Sequence, residues 1–421
     1  MSASMVAWAV GANVYEVNIR QYTPEGTFRA FSQHLPRLRD MGIQIIWLMP
    51  VTPIGKEKRL DTLGSYYACS SYVTTNEEFG TLNDARALVQ QVHELGMYLI
   101  IDWVANHTGW DHHWTKEHPD WYIKDAEGNF TEKNGWTDVI DLDYSKEDMR
   151  MAMMESMAFW VREVGIDGFR CDMAHLVPLD FWQAARRHCD AIRPLYWLAE
   201  CEQPEYDRVF NTIYAWHWMH VTEKFSRGEN GLGVVRDVLL GYTEKNPAAA
   251  TRLFFTSNHD ENSWNGTEYE KYGATAKAWA VFTCTWPGMP LIYSGQENAN
   301  TRRLAFFNKD ELTWQTPPVL HDFYQRLLRL RQRNLAITAG ECRLISTPAD
   351  AQLLIFFRKK EADTVLVLLN VSRQGRATVT LEHPWLNGSF RQLFSELIYT
   401  FNHREHFELM EGEFLVYEKL T

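Results

Sequence analysis

The stretch IDGFRCDMAH, residues 166–175, decides how this chain is read. Ile166, Phe169 and Cys171 give it the character of a buried strand, yet Arg170 and Asp172 stand two residues apart within it. Strand side chains alternate with period two, so both charged groups face the same side. Such a pair is either a structural bridge or a reactive carboxylate held ionised and oriented by a guanidinium, which lowers its pKa. Taken alone, the bridge is the better reading. The rest of the chain changes that balance.

Outward from this stretch, short β-branched or aromatic runs recur at 13–19, 43–50, 97–102, 166–172, 195–200, 210–216, 252–257 and 289–294. Between them lie amphipathic segments such as TFRAFSQHLPRLRDMG (27–42) and TLNDARALVQQVHELG (81–96), each with helical spacing and a terminal glycine. Eight strand-then-helix units predict an α/β fold, a closed (β/α)8 TIM barrel. One connection, 105–145, is too long for a plain loop and predicts a short inserted subdomain, termed B, after strand 3. After a helix at 327–335 the pattern changes to alternating runs, AQLLIFFRK, TVLVLLNVS, ATVTLE and GEFLVYEK. The expected domains are the barrel (1–104 and 146–340), the insertion (105–145) and a C-terminal antiparallel β domain, a β-sandwich (341–421).

The chain has 421 residues and a formal net charge of −12, which disfavours a nucleic-acid partner because phosphate binding needs a basic surface. Nothing in the hydropathy calls for a membrane partner, and a monomer is the default. Cys69, Cys171, Cys189, Cys201, Cys284 and Cys342 include no CxxC pair, so neither a zinc site nor a disulfide framework is expected. The N-terminal segment lacks the basic region and long apolar core of a secretory signal, and the cytoplasm is the expected location. Seventeen Trp, eighteen Tyr and twenty-two Phe exceed what most cores need, and such rings suit the apolar faces of sugars.

In a barrel of this type the reactive groups belong at the carboxyl ends of the strands. Asp102 ends the third strand and leads to Asn106 and His107; Arg170, Asp172 and His175 follow the fourth, Glu200 the fifth, and His259 and Asp260 the seventh. Three carboxylates, Asp172, Glu200 and Asp260, then converge on one mouth, with Asp102 bracing Arg170 from the neighbouring strand. Paired carboxylates are what glycosidic cleavage requires: one a nucleophile or base, the other an acid with a raised pKa. Glu200 follows the apolar run YWLA, where desolvation would raise its pKa. Glu202 shares its face by period two and is the rival acid.

These residues resemble the four signature regions of the α-amylase family of retaining α-glucan hydrolases and transglycosylases: DWVANH (102–107), GFRCDMAH (168–175), LAE (198–200) and TSNHDE (256–261). LGSYYACSSYVTTNEEFGT (63–81), VIDLDYS (139–145) and GMPLIYSGQE (288–297) are similar to further family segments in the same order. The resemblance implies Asp172 as nucleophile, Glu200 as general acid/base and Asp260 as the third carboxylate. It implies substrate contacts from Tyr67, His107, His259 and His175, with Arg170 and Asp102 in the same site. Asn106 and Asp141 match positions that hold a structural calcium in many members; the chemistry itself requires no cofactor. Ala174 stands where many α-amylases carry lysine, and Cys201 and Glu202 depart from the usual pattern after the acid.

The expected function is retaining hydrolysis of α-1,4-glucosidic bonds in starch-derived oligo- or polysaccharides. α-Glucosidase, cyclomaltodextrinase and transglycosylase activities share the same core residues, and a silent α-glucan-binding protein is the alternative of a different class.

Overall fold

The computed structural model describes residues 5–244 and 250–420; residues 1–4, 245–249 and 421 of the expected domains lie outside the described residues. Strands β1 (Val14–Val17), β2 (Ile45–Leu48) and β3 (Tyr98–Trp103) open the chain. An antiparallel pair, β4 (His107–Gly109) and β5 (Val139–Asp141), interrupts them. The series resumes with β6 (Gly168–Cys171), β7 (Tyr196–Ala199), β8 (Thr212–Tyr214), β9 (Thr251–Phe254) and β10 (Met289–Tyr293). Eight of these close a parallel barrel in the order β1-β10-β9-β8-β7-β6-β3-β2. Each expected strand has its counterpart. Their runs are apolar on both faces, IIWL, YWLA and MPLIY among them, because barrel strands are buried inside and under the helices.

Local signals set the boundaries. Gly42, at φ 103°, adopts the left-handed conformation that ends the helix Leu35–Met41, and its N–H donates to the carbonyls of Leu38 and Arg39. Thr81 and Asp84 form a reciprocal capping box at the start of Leu82–Glu94. The helical segment expected over 27–42 is instead two helices, Phe28–Ser32 and Leu35–Met41. Pro36, at the start of the second, cannot supply the N–H that a continuous helix would need there. A Cβ on Gly168 would lie 2.0 Å from the carbonyl oxygen of Tyr196, so only glycine lets β6 and β7 approach as they do.

Beyond the barrel, β11 (Glu341–Ile345), β12 (Leu353–Lys360), β13 (Asp363–Asn370), β14 (Ala377–Gln392), β15 (Ile398–Leu409) and β16 (Phe414–Lys419) follow. They form one six-stranded sheet, β11-β12-β13-β16-β14-β15, and not the two separate sheets of the expected sandwich. The layering comes from the long β14–β15 hairpin. His383 on β14 stacks on Phe357 of β12 at 4.6 Å, although two strands separate them in the sheet order. The hairpin therefore crosses back over its own sheet and encloses a second apolar core. Phe356 on the other face of β12 packs on Trp286, 5.0 Å between ring centroids, tying this sheet to the barrel.

Candidate active site

Arg170, fully buried in β6, is the hub of the carboxyl end of the barrel. Its Nη1 donates to Asp102 Oδ1 at 2.8 Å and to Asp172 Oδ1 at 2.9 Å. Its Nη2 lies 2.7 Å from Glu200 Oε2, an ion-pair contact away from the hydrogen-bond axis, and its Nε donates to the Tyr214 hydroxyl at 3.2 Å. Strand register explains the convergence. Arg170 sits directly beside Asp102 on β3 and Leu198 on β7, so a strand-end residue on either side falls within its reach. Arg170 and Asp172 do face the same side, with Asp172 one residue past the end of β6.

Met173 then adopts a left-handed conformation, φ 38° and ψ 47°, and its N–H donates to Glu200 Oε2 at 3.0 Å. Backbone strain of this kind in a non-glycine residue is held only where the surroundings over-determine it. Across the mouth, His259 contacts Glu16 of β1 through Nδ1, and its Nε2 lies 2.7 Å from the Tyr67 hydroxyl and 3.1 Å from Asp260 Oδ2. Tyr67 in turn donates to Asp102 Oδ2 at 3.1 Å, which joins the two halves of the network.

These surroundings separate the carboxyls. Burial pushes Glu200 up to about 7, with Arg170 opposing and Asp172 and Asp260 adding to the rise. Burial likewise raises Asp172 to about 6 against the pull of Arg170. The expected net lowering of Asp172 is thus corrected: the guanidinium acts in the expected direction, and desolvation outweighs it. Burial raises Asp102 to about 6 against Arg170 and His259. Burial also acts to raise Asp260, but the charge and hydrogen bond of His259 bring it below the usual carboxylate range. His259 is itself held well above the imidazole range: burial opposes its charge, and Asp260 and Glu16 prevail.

Asp172, Glu200 and Asp260 line one cavity of about 390 Å³, together with Tyr67, His107, Met173, Trp136, Asp138, Trp264, Phe306 and Phe307. Asp102, Arg170 and His259, expected among the substrate contacts, do not line it; they lie behind the carboxylates and hold them. His175 does not line it either, because the turn Ala174–Leu176 carries it away and its Nδ1 is buried without a hydrogen-bond partner. Glu202 is no rival acid. β7 ends at Ala199, so period two does not extend to it, and its oxygens accept from the Tyr242 hydroxyl and the His217 N–H. Ala174 is fully buried, with its carbonyl accepting from Trp182 Nε1.

The calcium expectation finds weak support in the donors present. Asn106 Nδ2 lies 3.1 Å from His107 Nδ1, and Asp141 offers one buried oxygen, Oδ1, without a hydrogen-bond partner. Calcium takes six to eight oxygens. Among the described residues no three His, Cys, Asp or Glu side chains are placed to hold a metal. Asn106 and Asp141 by themselves supply fewer oxygens than a calcium ion takes.

Several residues of the site escaped the sequence reading. Glu16 left a signal, a glutamate inside the buried run VYEV. Trp136, Asp138, Phe306 and Phe307 lie in stretches without periodicity; the high aromatic content pointed in general terms to the three rings, and nothing pointed to Asp138.

Residues 10–230 match the α-amylase catalytic-domain family, and the chain belongs to it. A maltogenic α-amylase from Thermotoga neapolitana, described as noncanonic, is 30% identical with a TM-score of 0.90, covering 98% of this chain and 99% of that one. An α-amylase from Lactobacillus plantarum is 27% identical with a TM-score of 0.89, over 98% of this chain and 100% of that one. The α-amylase MalA of Haloarcula japonica is 26% identical over 86% of this chain. The chain spans 56% of that protein's length, and 66% of a Bacillus cyclomaltodextrinase to which it is 24% identical over 83% of its own length. Among the described residues no helix is long and apolar enough to cross a membrane.

Proposed function

We propose that this protein is a retaining glycoside hydrolase acting on α-1,4-glucosidic bonds of starch-derived glucans. The observation that carries the reading is the division of labour among three carboxyls on one cavity. Glu200 is raised to about 7, Asp172 to about 6, and Asp260 is held ionised by His259. In the first step Asp172 attacks the anomeric carbon as the glycosidic C–O bond breaks, and Glu200 gives its proton to the departing oxygen. In the second, ionised Glu200 takes a proton from water, whose oxygen attacks the anomeric carbon and releases Asp172.

Arg170 touches both carboxyls and so holds them side by side on one cavity. Asp260, ionised opposite them, suits stabilisation of the oxocarbenium-like transition state. Tyr67 offers its ring face to the reacting sugar, and His107, which burial lowers to about 4, is a neutral partner for hydroxyls. The test is the anomer formed first from maltotriose, followed by NMR, alongside Asp172→Ala. The α anomer from the parent protein and no turnover by the variant are expected; a first-formed β anomer overturns the double displacement.

A further inference from the structure

Asp138 is a buried carboxyl with one oxygen that nothing in the protein holds. It is 4% exposed, its Oδ2 has no hydrogen-bond partner, and it lies on the wall of the cavity that holds Asp172 and Glu200. Leaving such a group unpaired costs about 1–3 kcal/mol, so the fold alone does not explain it. The segment that carries it is fixed. Val139 N–H donates to Trp136 O at 3.2 Å, and Trp110 Nε1 donates to Thr137 O at 3.1 Å. Glu132 accepts the Gly135 N–H at 2.7 Å just upstream. Asp138 is therefore presented to the cavity and cannot swing away to find a partner.

We propose that Asp138 binds a hydroxyl of the glucosyl chain in this cavity and helps set which glucans are accepted. The inference rests on the hydrolase reading above and adds a binding residue from the inserted segment, remote in sequence from the three carboxylates. Burial raises the Asp138 carboxyl above its usual range. A carboxyl accepts from a sugar hydroxyl in either protonation state and donates to one as well when it carries a proton. The same cavity is also lined by the aromatic cluster of Trp264, Phe306 and Phe307. A sugar held in this cavity would pack on the rings and hydrogen-bond to the carboxyl, the usual division in sites that fix orientation with few polar groups.

The test is calorimetric binding of maltotriose to the full chain carrying Asp172→Ala, with and without Asp138→Ala or Asp138→Asn, together with kcat and KM in the active background. Asp138→Ala is expected to weaken binding at least about fivefold and to raise KM by the same factor with kcat little changed. Asp138→Asn, neutral and able to donate and accept, is expected to stay within about twofold. The Tm of Asp138→Ala should match or exceed that of the parent, whereas a structural carboxyl would lower it. Unchanged affinity in Asp138→Ala overturns the proposal. So does a loss of affinity that vanishes after metal stripping, which would assign the carboxyl to a cation. If the protein binds maltotriose but cleaves no α-glucan, the hydrolase reading falls while the calorimetry still decides Asp138.

Discussion

Arg170→Met removes the one cation shared by Asp102, Asp172 and Glu200 while keeping much of the side-chain volume. The guanidinium and the Asp172 carboxylate are in direct contact, with charge centres ~4 Å apart. At the effective dielectric suited to such sites, their attraction is about 4 kcal/mol. One pKa unit corresponds to about 1.4 kcal/mol, so its loss moves Asp172 up by about three units. From about 6 in the parent, Asp172 would titrate near ~9. At neutral pH the ionised fraction then falls from roughly nine-tenths to on the order of one-hundredth, and kcat/KM falls about a hundredfold through protonation alone.

Glu200 moves upward for the same reason, so the acid stays protonated and the whole bell shifts to alkaline pH. The assay is kcat/KM on maltotriose from about pH 5 to 10, with circular dichroism to confirm folding. Activity of Arg170→Met should climb through the range where the parent is already declining. Arg170→Lys, with charge but no fork, should shift less and still lose activity because one ammonium cannot serve the same contacts. A folded Arg170→Met protein whose ascending limb lies at or below that of the parent refutes the reasoning.

Asp172 must be ionised and Glu200 protonated, so the parent's activity should rise with pH through about 6 and decline above about 7, a narrow bell. Glu200→Gln should lose the descending limb and about 10²–10⁴-fold in kcat; an intact descending limb assigns the acid elsewhere. Gly168→Ala places a Cβ 2.0 Å from the Tyr196 carbonyl and should fail to fold or melt well below the parent, checked by thermal denaturation. Burial raises Glu268 to about 7 where it contacts Thr256 and Gln296. A raised carboxyl stabilises the fold below its unfolded pKa and loses that contribution as pH rises through about 7. Tm should therefore fall from acid to alkaline pH, and Glu268→Gln should flatten that slope.

Much of the barrel was legible because its strands are buried on both sides and read as unbroken apolar runs between amphipathic helices. The three carboxylates were legible because barrel topology places strand ends together whatever the loops do. Glu202 shows where local pattern failed. Period two is a property of a strand, and β7 stops before it reaches that residue. The C-terminal strands were read correctly as alternating runs, but sequence carries no record of a hairpin crossing over its own sheet.

The sequence by itself determined which residues end the strands, and hence that Arg170, Asp172, Glu200 and Asp260 share one end of the barrel. Only the tertiary structure decided their ionisation, because desolvation depends on everything packed around a group. The same guanidinium that sequence assigns to Asp172 is outweighed there by burial, while His259, backed by Glu16 from β1, keeps Asp260 ionised. Only the fold could also show that Asp102, Arg170 and His259 stand behind the cavity wall, with Trp136 and Asp138 brought onto it from the insertion. Neither solvent exposure nor the approach of distant loops is written in local spacing.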